Sequence, residues 1–201
     1  MNFTSTLTSW YSANKRNLPW RTSKIPYNVW LSEVILQQTQ IKQGQPYYEA
    51  FLANYPSVQA LAKASETEIL NLWQGLGYYS RARNLHFTAK YISETLNGEF
   101  PKNYKSLLTL KGVGDYTASA IASICYEEAV AVVDGNVYRV LARHFGIDTP
   151  INITEGIKQF KTLAKLLLPL SNFGDYNQAI MEFGSQQCKP QSPNCKECPL
   201  I

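Results

Sequence analysis

Apolar residues return every three or four positions along almost the whole chain, and no stretch alternates convincingly with period two. One short run, Ala129 to Val133, is apolar enough to be an extended segment. Caps divide the rest into helices. The first opens near Thr4 and ends before Leu18-Pro19, and a second runs from Pro26-Tyr27 to about Gln38. A third covers Gln43 to Asn54, with Pro46 tolerable in its first turn. Ser57 caps a short helix, and Ser65 with Glu68 makes a capping-box pattern for the next, which ends at Gly75. Tyr78 to Leu96 is long and amphipathic and is closed by Asn97-Gly98. Asn103 to Thr109 is short; Leu110-Lys111-Gly112-Val113-Gly114 then interrupts the periodicity, and a helix from Asp115 to near Tyr126 follows. Asp134 caps a helix that stops at Gly146, and Thr154 to Leu168 and Phe173 to Gln187 are the last two. From Cys188 onward the chain reads as Pro- and Cys-rich loop. Ten or eleven helices on short connections, with no internal repeat and no linker, predict a compact all-α protein.

Composition narrows this picture. A chain of 201 residues suggests one or two domains, and 45% hydrophobic residues suffice for a proper core. No apolar run approaches the roughly 18 residues of a membrane helix, and no signal peptide opens the chain. The net charge of +4 permits an anionic partner without specifying one. Aromatics are plentiful, with 4 Trp, 13 Tyr and 8 Phe. Three of the 4 cysteines crowd into the tail, and without a secretory signal an extracellular disulfide framework is a poor reading of them.

Five strings carry candidate chemistry. In Leu110-Lys111-Gly112-Val113-Gly114-Asp115, two glycines flank one apolar residue between helices. Such a hairpin presents backbone N–H groups at a helix N-terminus, where a phosphate binds, but taken alone it is equally an ordinary helix–helix turn. Glu33 has Val29, Trp30 and Leu36 as its helical neighbours. A carboxylate held against them has a raised pKa and can act as a general acid; the plainer alternative is a helix-edge carboxylate or one paired with Arg. Asp134 ends an apolar segment and begins a helix, where N-cap bonds and the positive helix terminus favour ionisation. By itself a helix cap accounts for it fully. In Gly75-Leu76-Gly77-Tyr78-Tyr79-Ser80-Arg81-Ala82-Arg83, a glycine-aromatic turn opens a helix with two arginines. It suits a wedge into a base stack with cations meeting phosphates, or merely a helix start with its aromatics in the core. Finally, Cys188, Cys195 and Cys198 are separated by six and two residues, a spacing of soft thiolates suited to zinc or an iron–sulfur cluster. Cys125, among apolar neighbours on its helix, is most simply a core residue.

Together these strings resemble the catalytic region of MutY-type adenine DNA glycosylases, of the helix-hairpin-helix superfamily that also includes endonuclease III. The likeness runs from Leu18-Pro19-Trp20-Arg21 to Cys198-Pro199-Leu200. It implies two all-α lobes with a DNA cleft: a bundle with the hairpin over residues 22–132, and a terminal-helix lobe over 1–21 plus 133–201 with the cluster loop. It further implies a monomeric enzyme of base excision repair in the bacterial cytoplasm, associated with the nucleoid, without membrane contact. Its substrate is double-stranded DNA with adenine opposite 8-oxoguanine or guanine, the base being flipped out to be reached. Glu33 matches the general acid that protonates adenine at N7, and Asp134 the carboxylate that stabilises the sugar cation. Tyr116 matches an active-site tyrosine and Asn136 a polar group beside the aspartate. Trp20, Arg21 and Glu182 match adenine-pocket positions; Gln38, Leu76 and Tyr78 match residues that probe or wedge the duplex; Gly112, Val113 and Gly114 match the phosphate-binding hairpin. Where endonuclease III-like enzymes carry a lysine that forms a Schiff base, this chain has Tyr116, which cannot form an imine and implies a monofunctional enzyme.

The resemblance departs at two places. A 4Fe-4S cluster is implied by Cys188, Cys195 and Cys198, but the fourth cysteine of the pattern falls beyond Ile201. The Nudix-like C-terminal domain of the family is absent from these residues. Two other readings stand beside the glycosylase: a bifunctional pyrimidine-lesion glycosylase and lyase like endonuclease III, and a non-catalytic helix-hairpin-helix DNA-binding module.

Overall fold

The computed structural model describes residues 2–201. Among these residues all regular structure is helical, as the periodicity requires. Contacts divide the chain into one unit formed by Leu18–Ile121 and another formed by Met1–Asn17 with Ala122–Ile201. No helix among the described residues is long and apolar enough to cross a membrane.

The unit over Leu18–Ile121 begins with a 3-10 turn, Pro19–Arg21, and continues through α2 (Pro26–Ile35), α3 (Ile41–Asn54), α4 (Val58–Lys63), α5 (Glu66–Leu72), α6 (Ser80–Glu94) and α7 (Tyr104–Leu107). It also holds the first half of α8 (Asp115–Tyr126), a helix that runs across the division. Its core is aromatic: Trp30 meets Phe100 edge-on at 5.5 Å, and Phe51 meets Trp73 at 5.8 Å. α6 packs on α2, α4 and α5, which makes it the spine of the unit. The Ser65–Glu68 capping box forms as the sequence predicts, and Ser57 accepts from the Ala60 amide.

Several boundaries differ from those the sequence suggests, and three of them bear on the site. α2 stops at Ile35, not Gln38, because Gln38 turns left-handed at φ +53°. α3 opens at Ile41, which puts Pro46 inside the helix beyond its first turn. α6 opens at Ser80, not Tyr78, because Tyr78 is left-handed at φ +46°. A non-glycine residue in that region costs about 1–2 kcal/mol, so both turns need support from their surroundings.

The other unit is built from α1 (Phe3–Asn14), the end of α8, α9 (Gly135–Phe145), α10 (Thr154–Leu166), α11 (Phe173–Gln186) and a 3-10 turn at Cys195–Glu197. α11 packs on α1 and α9, around a core of Leu7, Val137, Val140, Leu141, Phe160 and Phe183. Asp134 and Gly146 bound α9 as the sequence predicts, with Gly146 left-handed at φ +64°. The Ala129–Val133 run forms no strand. In place of a neighbouring strand it has one side chain: buried Asn177 donates to the Val130 carbonyl at 2.8 Å and accepts from the Val132 amide at 3.1 Å. That pairing satisfies polar backbone in an apolar setting and fixes the stretch that leads into Asp134.

Candidate active site

Within the Leu18–Ile121 unit, Glu33 is half-buried on the last turn of α2, next to fully buried Val29 and Trp30. Leu36, the third of its apolar helical neighbours, is half-buried. Tyr116 is half-buried in the first turn of α8. Trp20, from the Pro19–Arg21 turn, is buried edge-on against Tyr48 at 5.3 Å, and Arg21 ends the same turn.

The hairpin forms between α7 and α8. Leu110 and Val113 are buried, the Val113 amide donates to the Leu110 carbonyl at 3.1 Å, and Thr88 on α6 donates to the Lys111 carbonyl at 2.7 Å. Gly112 is left-handed at φ +79°, and a Cβ there would stand 2.8 Å from Asn84 Cβ. Only glycine meets both demands. Gly112 and Gly114 are exposed, so the turn offers its backbone to solvent at the start of α8. Tyr104 hydrogen-bonds Asp115 at the head of that helix, and the bond pushes the tyrosine up to about 12.

Gln38 and Tyr78 are both exposed, Tyr78 to 67%, whereas Leu76 is buried. Of the three residues matched to probing or wedging the duplex, Gln38 and Tyr78 stand out and Leu76 packs inward. The sequence suggests that Arg81 meets phosphates; the structure corrects this. Arg81 Nη1 donates to the carbonyls of Val34, Ile35 and Gln37 at 3.0, 3.0 and 2.7 Å. Its Nη2 donates to Leu76 and Gly77 at 3.1 and 3.4 Å. The guanidinium also lies 5.1 Å from the Trp73 ring centre and 5.8 Å from that of Tyr78. Burial pulls its pKa down, against the opposing pull of Tyr78. The reason is the helix terminus: the last carbonyls of α2 have no intrahelical donor, and a cation satisfies both them and the dipole. Arg83, by contrast, is exposed and pairs with Glu66 at 3.3 Å.

In the other unit the Asp134 carboxylate is held at two points. Oδ1 accepts from the Val137 amide at 2.8 Å, and Oδ2 accepts from Asn136 Nδ2 at 2.8 Å. Asn136 is held in turn, its Oδ1 accepting from Arg139 Nη2 at 2.8 Å. Arg139 also donates to the carbonyls of Gly184 at 2.6 Å and Cys188 at 2.7 Å. A Cβ on Gly184 would meet Asn136 Cβ at 2.7 Å, so α11 approaches α9 closely beside the aspartate. The result is a carboxylate of fixed orientation, backed by an amide and an arginine. Reading the sequence misses Arg139 and Asn177, although Arg139 lies one turn beyond Asn136. Their acceptors lie more than forty residues away in the chain, at separations of 45 and 49 for Arg139 and 47 for Asn177.

Glu182, matched to an adenine pocket, is fully buried and its oxygens are engaged. Oε1 accepts from the Arg16 amide at 3.0 Å, Arg16 Nε at 2.8 Å and Gln186 Nε2 at 2.7 Å; Oε2 accepts from Arg16 Nη2 at 2.5 Å. The Arg16 pKa is raised, first by that side-chain bond. Glu182 thus ties the chain just beyond α1 to α11.

The tail tests the implied cluster. Cys188, Cys195 and Cys198 are free thiols, with Cys188 and Cys198 resting against the core and Cys195 exposed. Cys188 Sγ takes a contact from Arg143 Nη1 at 3.4 Å. Among the described residues no three His, Cys, Asp or Glu side chains gather as a metal site. As a donor set the residues present do not fit a 4Fe-4S cluster, which calls for converging thiolates. Protein groups hold the loop instead: Arg143 donates to the Lys189 carbonyl at 2.7 Å, and Gln187 to the Asn194 carbonyl at 2.6 Å.

An all-α chain whose α7 and α8 are joined through a Leu-Lys-Gly-Val-Gly turn is a helix-hairpin-helix protein. It belongs to the HhH-GPD superfamily of base excision DNA repair proteins, whose family model matches residues 31–164. It is similar to the adenine DNA glycosylase of Buchnera aphidicola subsp. Schizaphis graminum, with 39% identity over 200 residues, covering 99% of this chain and 58% of that protein. The adenine DNA glycosylase of Homo sapiens is 44% identical over 207 residues, covering 98% of this chain and 38% of that one. The chain therefore spans between about two-fifths and three-fifths of these curated relatives' lengths. Among solved structures, a thermostable thymine-DNA glycosylase superposes with a TM-score of 0.90 at 30% identity, covering 98% of this chain and 91% of that chain.

Proposed function

We propose that this chain is the catalytic region of an adenine DNA glycosylase. It hydrolyses the bond between adenine and deoxyribose in duplexes where adenine lies opposite 8-oxoguanine or guanine. The observation that carries the reading is the oriented Asp134 carboxylate with its Asn136 bond, in a chain similar over almost its whole length to adenine DNA glycosylases. Glu33, flanked by buried Val29 and Trp30, protonates adenine at N7. The C1′–N bond then breaks with the electron pair leaving on the base, and Asp134 stabilises the cationic sugar until water adds. Holding that carboxylate at two points means that no reorganisation is needed when the charge develops. The α7–α8 hairpin holds backbone phosphate, and Gln38 and Tyr78 probe the duplex as the base leaves the stack. Tyr116 provides no amine for an imine, so the enzyme leaves an abasic site and does not cut the strand. No step passes through a metal cluster. The reading carries with it a monomer acting on DNA at the bacterial nucleoid, in the cytoplasm.

Single-turnover cleavage of a duplex with adenine opposite 8-oxoguanine tests it. We expect product only after alkali, and Glu33→Gln to slow its appearance by roughly a hundredfold to ten-thousandfold, the scale of general acid catalysis. Strand scission without alkali would favour the bifunctional alternative, and tight binding without any abasic product the non-catalytic one. A thymine opposite guanine in the same assay shows whether the thymine-DNA glycosylase likeness extends to substrate.

A further inference from the structure

Of the left-handed, exposed non-glycine residues in the Leu18–Ile121 unit, Asn97 follows the end of α6, while Gln38 at φ +53° and Tyr78 at φ +46° sit in turns that Arg81 reaches. These last two fall in separate turns, one closing α2 and one opening α6. A single side chain reaches both. Arg81 gives one guanidinium nitrogen to the carbonyls that end α2, including Gln37 at 2.7 Å, and the other to Leu76 and Gly77. Two of the carbonyls it holds, those of Gln37 and Gly77, immediately precede the two left-handed residues. Its face also lies over the Tyr78 ring at 5.8 Å.

We propose that Arg81 is a positioning residue that locks these two turns as one probe, so that Gln38 and Tyr78 meet the duplex together. The inference rests on the reading of the chain as a glycosylase that flips a base from duplex DNA. Left alone, each turn has an incentive to relax to ordinary backbone. A planar fork with donors on two nitrogens bridges two sets of carbonyls at once, which a lysine ammonium on a flexible stem does not reproduce. The same geometry argues against a phosphate contact, because the donors aimed at the turns are already committed.

The test compares Arg81→Met and Arg81→Lys with the unaltered chain. A duplex carrying 2-aminopurine next to the target adenine reports unstacking by its fluorescence rise on binding. We expect both variants to lose most of that rise and to excise adenine from a fully paired duplex about tenfold more slowly, the worth of one charge-assisted hydrogen bond. Excision of adenine opposite an abasic site, where little stacking must be broken, falls less than threefold by the same reckoning. The salt slope of binding is unchanged. Rescue by Arg81→Lys, together with a slope smaller by about 0.9 in Arg81→Met, identifies a phosphate contact and overturns the proposal. Equal losses on both duplexes with a lowered unfolding midpoint overturn it in favour of a purely structural role. If Arg81→Met does not fold, Arg81→Lys decides alone, since it keeps the charge and most of the volume. Failure of the unaltered chain to excise adenine or raise the fluorescence overturns the underlying glycosylase reading instead.

Discussion

Glu182 shows what a fully buried carboxylate demands of its neighbours. Its charge is compensated by Arg16, and Gln186 donates a further hydrogen bond, with no exposure of the glutamate side chain, while that of Arg16 remains 36% exposed. Removing one partner of a buried pair strands the other, at a cost of about 3–5 kcal/mol. The half-open Arg16 side recovers some hydration, so Glu182→Ala is expected to lower the unfolding free energy by about 2–3 kcal/mol. Urea midpoints measure this. A variant of unaltered midpoint that no longer excises adenine would return Glu182 to the pocket role suggested by its position in the sequence. That role is implied only by the family resemblance, which matches positions without showing what holds the side chain. Its partner, Arg16, belongs to a polar Lys-Arg-Asn string that looks like solvent-facing chain end.

Among the elements, α6 gathers the most consequences. Its first turn carries Arg81, its middle carries Asn84 against Gly112 and Thr88 on Lys111, and His86 packs 2.9 Å from the Ala64 carbonyl after α4. Burial holds the His86 pKa below its ordinary value, helped by Lys90 and opposed by the Ala64 bond and Glu66. A folded-state pKa below the unfolded one means that protons bind the unfolded chain better. His86 thus supports the fold fully above about pH 6.5 and withdraws that support as pH falls below it. His86→Gln is expected to flatten the acid side of the stability curve, seen as a smaller gap between urea midpoints at neutral and mildly acid pH. An identical gap in both proteins would assign the acid sensitivity to carboxylates.

The caps of these helices were legible because they are local: Ser57, Ser65 with Glu68, Asp134 and Gly146 each act within a turn. The left-handed breaks at Gln38 and Tyr78 were not. Neither residue type demands that conformation; it is imposed by carbonyls that Arg81 collects from two distant turns. An arginine in an Arg-Ala-Arg string reads as surface charge until its acceptors are seen.

At the scale of the whole molecule, the tail is the part the resemblance and the geometry treat differently. Spacing alone groups Cys188, Cys195 and Cys198, yet fold geometry does not bring them together as ligands. Arg139, Arg143 and His144, along one helix, reach the carbonyls of Cys188, Lys189, Pro190 and Leu200. These bonds tie the tail to α9 through protein groups. Treatment with iron and zinc chelators is therefore expected to leave the thermal midpoint and adenine excision of this chain unchanged. A fall in either on chelation would establish a metal contribution. The sequence also gave no hint that α8 runs across the division between units, since an unbroken helical period does not record where its packing partners change.

Asn177 has a consequence for how this chain tolerates alteration. The stretch delivering Asp134 has no ladder to keep it in step; its register is marked by a single amide at Val130 and Val132. A strand within a sheet has many repeated bonds that resist slipping by one residue. Here one residue inserted after Val132 would shift the carboxylate along the chain while leaving that amide satisfied, an error of alignment that folding itself would not correct. The connector before α9 is thus less a loop open to variation than a measured spacer, its length counted from a side chain on another helix.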